Sequence, residues 1–192
     1  MCPYKRKPSE LSTAISDIHE DLIDRCKAGN SIAQEQLYKQ YARAMFNICR
    51  RMANNQVEAE DILQEAFADA FYRLDTFRFE STFGAWLKRI VVNHCINHLK
   101  KKRAELVPME DMSMFESRYD EQFDENEEGF NVNRVMKAFE QLPDGYRVIF
   151  SLYLLEGYDH TEISDILGIS ESTSKSQYLR AKQKIRDILL TR

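Results

Sequence analysis

The chain has 192 residues, a formal net charge of −4 and 43% hydrophobic residues, which is enough for one or two domains with packed cores. Its four cysteines are scattered and form no C-x-x-C pair, which excludes a disulfide scaffold and a cysteine-based zinc site. No segment approaches the roughly 20 apolar residues of a membrane span, and no apolar run follows the basic N-terminus. We therefore expect a soluble, non-exported protein of the reducing cytoplasm.

The N-terminal half is predicted to be a helix bundle. Residues 1–19 are expected to form a tail, and residues 20–103 a first helical domain. A helix pair is predicted at about residues 21–28 and 32–52, because apolar residues recur there at helical spacing. The chain shows no alternating strand pattern and no hairpin-type glycine turns, so the predicted fold class is all-α.

A third helix is predicted in the stretch NNQVEAEDILQEAFADAFYRL. Asn55 and Glu58 are spaced as in a capping box, with asparagine at the cap. The apolar positions repeat every four residues and draw one stripe along the helix: Ile62, Leu63, Ala66, Phe67, Ala70, Phe71 and Leu74.

A fourth helix follows the loop DTFRFESTF, in the stretch STFGAWLKRIVVNHCINHLKKKR. Its apolar stripe comprises Phe83, Trp86, Leu87, Ile90, Val91, Cys95 and Leu99. Arg78, Arg89 and the basic run 100–103 offer charge to a nucleic-acid backbone. Phe77, Phe79 or Trp86 are candidates to stack on an unpaired base, although Phe83 and Trp86 lie on the stripe and are assigned to packing.

Residues 104–131 are predicted to be an acidic, flexible linker. They hold ten acidic residues and one arginine, a net charge of −9, which leaves +4 for residues 1–103 and +1 for residues 132–192. A segment rich in like charges and without a clean period is typical of a solvated tether. Its Met, Phe and Tyr residues leave open a second interpretation, in which it lies across a partner.

Residues 132–192 are predicted to be a second all-α domain that ends in a helix-turn-helix. Such a motif needs a small residue where its helices cross and a glycine in its turn, and Ser164 and Gly168 have that spacing. Ser170 is the expected cap of the second helix. Ser174 stands where such motifs usually have valine, which predicts looser packing. The alternative is an ordinary helical hairpin with a solvated basic face.

The second helix of this motif carries the candidate DNA contacts. Polar residues near its cap are placed to discriminate bases, and long basic side chains farther along suit phosphates. The candidates are Ser172, Thr173, Lys175, Ser176, Gln177, Arg180 and Lys182.

The two halves together resemble the extracytoplasmic-function (ECF) subfamily of bacterial RNA polymerase sigma-70-type sigma factors. In the first half the matching stretches are AEDILQEAFADAFYRL and FRFESTFGAWLKRIVVNHCINHLKKKR. In the second they are LPDGYRVIFSLYLLEGYDHTEISDILGIS and TSKSQYLRAK. The resemblance implies a non-catalytic subunit without a cofactor, which binds core RNA polymerase and promoter DNA and is restrained by an anti-sigma factor.

The resemblance also implies residue roles. The third helix would dock on core polymerase through Asp61, Gln64, Glu65 and Asp69. The loop and fourth helix would capture the minus-ten element as single strand through Arg78, Lys88, Arg89, Asn93 and Asn97. The helix-turn-helix would recognise the minus-thirty-five element as duplex, and Lys175, Ser176 and Arg180 carry over most directly. Gln177 occupies a position that is often arginine in relatives.

Other function classes are less compatible with the sequence. No phosphate-binding glycine loop or nucleophile motif is present. His94 and His98 share a helix face beside Cys95 and would need a third ligand to hold zinc, so no metal site is predicted. A stand-alone helix-turn-helix regulator leaves the polar third helix and the aromatic-basic loop without a role. A protein that only sequesters another factor would not need Lys175, Ser176 and Arg180.

Overall fold

The computed structural model describes residues 10–106 and 132–190, and all regular elements in these two ranges are helical. The first range, here called the first module, contains α1 (Glu10–Lys27), α2 (Ser31–Ala53), α3 (Gln56–Tyr72), a 3-10 turn (Leu74–Thr76) and α4 (Phe83–Leu106). The second range, the second module, contains α5 (Val132–Glu140), α6 (Asp144–Phe150), a π-helical segment (Ser151–Leu155), α7 (His160–Leu167) and α8 (Glu171–Leu190). The all-α prediction is confirmed.

Two helices extend beyond the predicted limits of the first domain, and those limits stay a prediction. Helix α1 begins at Glu10, inside the residues expected to form a tail, and its sequence carries Leu11, Ile15 and Ile18 at helical spacing. Helix α4 continues to Leu106, past residue 103. Residues 107–131, which include most of the predicted acidic linker, lie outside the described residues.

Asparagine side chains cap the N-termini of α2 and α3. Asn30 accepts a hydrogen bond from the amide of Ala33 at 3.0 Å, and Asn55 accepts from the amides of Val57 and Glu58 at 2.9 and 3.2 Å. These contacts satisfy amides that have no partner within a helix. The Glu58 side chain points instead to α4, so only the asparagine half of the predicted capping box forms.

The predicted apolar stripes of α3 and α4 build the core of the first module. Every residue of the first stripe except the partly buried Phe71 is buried, including Leu74 in the 3-10 turn after α3. Phe83 of α4 is buried as well. Trp86 and Leu99 are partly buried and pack against the same core. The assignment of Phe83 and Trp86 to packing agrees with this arrangement.

The helix-turn-helix forms as its turn chemistry predicts. Asp159 and Glu162 make a reciprocal capping box at the start of α7, and Gly168 ends this helix with a φ of 71°. The amide of Thr173 donates to the Ser170 hydroxyl at 3.0 Å, so Ser170 caps α8. Glycine adopts the left-handed conformation at little cost, and the turn therefore stays tight.

The two modules pack against each other. Five buried residues of the second module join the core of the first: Val148, Ile149, Leu152, Tyr158 and Ile163. A smaller core lies inside the second module, between α5, α6 and α8, and includes Phe139, Phe150 and Ile185. None of the helices described is both long and apolar enough to cross a bilayer.

Candidate nucleic-acid interface

The polar side of α3 presents the predicted docking residues on one exposed face. Asp61, Gln64 and Glu65 are exposed, and Asp69 is partly buried one turn farther along. Spacings of three and four residues place these side chains next to each other on a helix. The structure therefore brings all four together as a polar, mainly acidic surface.

Asp69 is held ionised by two neighbours. Arg73 donates to its carboxylate from Nε at 2.6 Å, and His94 Nε2 lies 3.0 Å from the same group. The hydrogen bond from Arg73, with His94 in support, lowers the pKa of Asp69 below its ordinary value. The carboxylate stays charged at neutral pH and links α3 to α4.

On α4, Asn93 and Asn97 are exposed one turn apart. Together with Lys100 and Asp69 they line a polar pocket of about 240 Å³, and Ile166 of α7 is also part of its lining. Asparagine amides both donate and accept hydrogen bonds, as recognition of unpaired bases requires. Arg89 is exposed on the same helix.

Lys88 is not a free cation at this face. Its Nζ donates to the backbone carbonyl of Glu156 at 2.8 Å and lies 5.2 Å from the ring centroid of Tyr158. In this arrangement the Lys88 ammonium lies against the residue that follows the π-helical segment, and its contact with DNA stays a prediction.

The loop before α4 displays an aromatic ring in an unusual conformation. Phe79 has a φ of 59°, which bulky residues rarely adopt, and its side chain is 39% exposed. Lys27 holds the loop, since its Nζ donates to the carbonyl of Phe77 at 3.0 Å and lies 4.8 Å from the Phe79 ring centroid. Phe77 itself is buried against Phe79 and Trp86. Arg78 is exposed between the two phenylalanines.

Sequence reasoning did not single out Phe79 among the three aromatic candidates. Neither apolar periodicity nor composition signals a positive φ at a non-glycine residue. Such strain is concentrated at functional sites.

Helix α8 leaves six of its seven predicted DNA-contact residues exposed or partly exposed. Ser172, Lys175 and Lys182 are exposed, and Thr173, Ser176 and Arg180 are partly buried. Lys175 pairs with Glu171 at 2.6 Å, and an exposed pair of this kind exchanges partners at little cost.

The position of Gln177 contradicts its predicted role as a DNA contact. Its side chain is 1% exposed, because it falls on the buried stripe of α8 with Ser174, Ala181 and Ile185. It cannot reach a base edge from this position. The polar identity of the residue suggested an exposed role, whereas its spacing indicated burial.

The packing at Ser174 also differs from the looser packing that the sequence predicts. It is fully buried, and its hydroxyl lies 2.9 Å from Nδ1 of His160, whose ring stacks on Tyr153 with centroids 4.3 Å apart. Burial lowers the pKa of His160, which favours the neutral ring that hydrogen-bonds the serine. A polar pair thus takes the place of the usual apolar contact between α7 and α8.

The two histidines of α4 contact different carboxylates of α3. His94 reaches Asp69, and His98 Nε2 lies 3.1 Å from Glu58. Cys95 is buried in the core between them. Among the side chains that the structure describes, no group of three or more His, Cys, Asp or Glu residues is arranged to hold a metal ion.

Comparisons with known proteins cover both modules. Residues 37–105 match the family model of sigma-70 region 2, and residues 133–185 match that of sigma-70 region 4. The ECF RNA polymerase sigma factor SigW of Bacillus subtilis (strain 168) is 29% identical over 173 residues, which cover 85% of this chain and 92% of the relative. The sigma factor SigM of Mycobacterium tuberculosis is 28% identical, over 88% of this chain and 83% of the relative.

Solved structures share the fold. CnrH, in complex with the cytosolic domain of CnrY, has a TM-score of 0.51 at 23% identity over 88% of this chain and 94% of the other. The sigma factor RpoE of Bartonella quintana, in complex with the anti-sigma factor NepR, has a TM-score of 0.53 at 21% identity over 82% and 98%. The two family models together match more than half of the chain, and the listed curated relatives include ECF sigma factors. The chain therefore belongs to the extracytoplasmic-function subfamily of the sigma-70-type RNA polymerase sigma factors.

Proposed function

We propose that the chain binds core RNA polymerase and directs it to promoters through two different DNA contacts. The observation that carries the proposal is that one chain holds a capped helix-turn-helix for duplex DNA and, separately, a face of asparagines, arginines and an exposed aromatic ring for unpaired bases. These surfaces lie on different modules, as recognition of two separated promoter elements requires.

The polymerase contact is assigned to the polar face of α3. Asp61, Gln64, Glu65 and Asp69 share this face, and the structure leaves the first three exposed. Charged residues at such an interface favour correct orientation and fast association. Sigma factors of this family are non-catalytic, so the chemistry belongs to the polymerase.

The minus-ten contact is assigned to the loop and α4. Asn93 and Asn97 would bond unpaired base edges, Arg78 and Arg89 would contact the backbone, and Lys88 would join them once released. Phe79 adds an exposed ring on which a base can stack, and stacking contributes about 1–3 kcal/mol per base.

The minus-thirty-five contact is assigned to α8. Ser172, Thr173 and Ser176 lie near its capped N-terminus, where the recognition helix of this motif meets base edges. Lys175, Arg180 and Lys182 provide the charge for phosphates, and Arg180 is also long enough to reach a base. Gln177 is excluded from this set by its burial.

An anti-sigma factor is the proposed regulator. The support is similarity in fold to RpoE, which was solved in complex with an anti-sigma factor.

The proposal is tested by transcription with purified core polymerase on genomic fragments. We expect the chain to co-migrate with core polymerase and to yield run-off transcripts of defined length. A protein that binds duplex DNA tightly without polymerase and adds no transcripts would instead be a stand-alone regulator.

A further inference from the structure

The last turn of α1 carries none of the contacts assigned above to polymerase or DNA, yet it reaches the loop that displays Phe79. Lys27 lies in this turn, and its Nζ donates to the backbone carbonyl of Phe77 at 3.0 Å. The same Nζ lies 4.8 Å from the centroid of the Phe79 ring. One ammonium group therefore contacts both the backbone of the loop and its exposed ring.

The backbone that carries Lys27 is anchored in the core of the first module. Ile23 and Cys26 of the same helix are 1% and 2% exposed and belong to this core. Just beyond Lys27, the amide of Gly29 donates to the carbonyl of Cys26 at 3.0 Å. A cation in the last turn of a helix is also favoured by the helix dipole. The Lys27 side chain therefore extends from a fixed support.

The loop conformation at Phe79 needs such support. Its φ of 59° is costly for a bulky residue and persists only where neighbouring groups hold it. The buried Phe77 ring packs on Phe79, Phe83 and Trp86, with centroids 4.8, 5.6 and 5.4 Å apart. Because much of the Phe79 ring faces solvent, packing constrains it less than it constrains Phe77.

An ammonium group suits both of the contacts that Lys27 makes. It has three N–H donors, and it is attracted to an aromatic face within about 6 Å of the ring centroid. A hydrogen bond from a charged donor is also stronger than one from a neutral donor. Lys27 is partly buried, so solvent competes less for its ammonium than at an open surface.

We propose that Lys27 is a positioning residue for the minus-ten contact, which fixes the loop so that the Phe79 ring is in place before an unpaired base arrives. The stacking role of Phe79 rests on the proposed function, whereas the contacts of Lys27 with the loop do not. A ring that is ordered before binding loses less conformational freedom on binding. Lys27 thus contributes to DNA affinity without contacting DNA.

The first measurement follows the order of the loop in the free, full-length chain. Lys27→Met keeps an aliphatic side chain and removes the ammonium, and Lys27→Arg keeps a cation that can contact both the carbonyl and the ring. Trp86 is the single tryptophan, next to Phe77, so its fluorescence reports on this packing. For K27M we expect hydrogen exchange about tenfold faster in residues 75–83 and greater quenching of Trp86 by acrylamide. K27R should behave like the wild type.

The second measurement is a double-mutant cycle on the polymerase holoenzyme, with a fluorescein-labelled single-stranded minus-ten oligonucleotide and anisotropy as the readout. Lys27→Met should weaken binding about threefold or more in the wild-type background, because fewer molecules hold the loop ready. In the Phe79→Gly background it should have little effect, because the ring that Lys27 positions is gone. A direct contact of Lys27 with a phosphate predicts the same loss in both backgrounds.

Lys39→Met is the matched control. Lys39 is exposed on α2 and pairs with Glu35 of the same helix, so the variant makes the same chemical change away from the loop. It should leave hydrogen exchange in residues 75–83 and Trp86 quenching unchanged. Its effect on DNA binding measures the loss of one positive charge alone, and Lys27→Met in the Phe79→Gly background should not exceed it.

Unchanged exchange and quenching in K27M would overturn the positioning role, and so would equal losses of DNA binding in the two backgrounds. A loosened loop with DNA binding unchanged in every variant would instead contradict the stacking role of Phe79 in the proposed function. In that case the contact of Lys27 with the loop stands and its part in DNA binding does not.

Discussion

Phe79 occupies a backbone conformation that glycine adopts at less cost. The Phe79→Gly variant should relieve strain of about 1 kcal/mol or more while losing ring contacts, so its thermal stability should change little. Binding of the polymerase holoenzyme to a single-stranded minus-ten oligonucleotide should weaken by about 1–3 kcal/mol, measured by fluorescence anisotropy. Tyr72→Ala removes another exposed ring and should not affect binding. Equal affinities for both variants would remove Phe79 from the DNA contact.

A substitution at Arg180 tests base recognition by the second module. Arg180→Ala should cost about 1–3 kcal/mol on a matched minus-thirty-five duplex and less on a scrambled one, as expected for loss of a base contact. Lys184→Ala, an exposed charge one turn farther along, should weaken both duplexes equally. If Arg180→Ala also weakens both equally, Arg180 contacts phosphate only.

At the level of elements, His160 makes the packing of α7 on α8 sensitive to pH. Its pKa is lowered by burial in the folded chain, so the unfolded chain binds its proton first as the pH falls. Stability should therefore decrease below the ordinary histidine pKa of about 6.5 and level off below the folded value. Urea unfolding across this range should show a smaller decrease for His160→Gln. A wild-type curve parallel to that of the variant would contradict this role.

The polar face of α3 makes a prediction about polymerase binding. Glu65→Lys reverses a charge in the centre of this face and should weaken binding to core polymerase about tenfold or more. Glu35→Lys makes the same charge change at an exposed position of α2 and should leave the affinity unchanged. Surface plasmon resonance with immobilised core polymerase measures both. A loss for neither variant would place the polymerase contact elsewhere.

Periodicity identified the buried faces of α3 and α4 because each helix has an uninterrupted apolar stripe. At Gln177 the polar side chain suggested exposure, although the residue continues the buried stripe of α8. Turn chemistry placed Gly168 and Ser170 correctly, since both act within a few residues of the chain. The His160 and Ser174 pair was missed because the contact joins two helices, which local spacing does not reveal.

At the level of the whole molecule, the composition suggested two independent modules, whereas the described residues form a joined core. An apolar stripe in the sequence indicates that one face of a helix is buried. It does not indicate which element packs against that face. The buried side chains of Val148, Ile149 and Leu152 belong to the core of the first module. The contact of Lys88 with Glu156 was missed for the same reason, because the two residues lie far apart in the sequence.

The proposed role of the chain is to give core RNA polymerase its choice of start site. The most direct measurement is mapping of transcript 5′ ends made by core polymerase on the same genomic fragments with and without the purified chain. The account predicts a small set of new, sharply defined start sites that weaken with Arg180→Ala. Identical start sites in both reactions would contradict it.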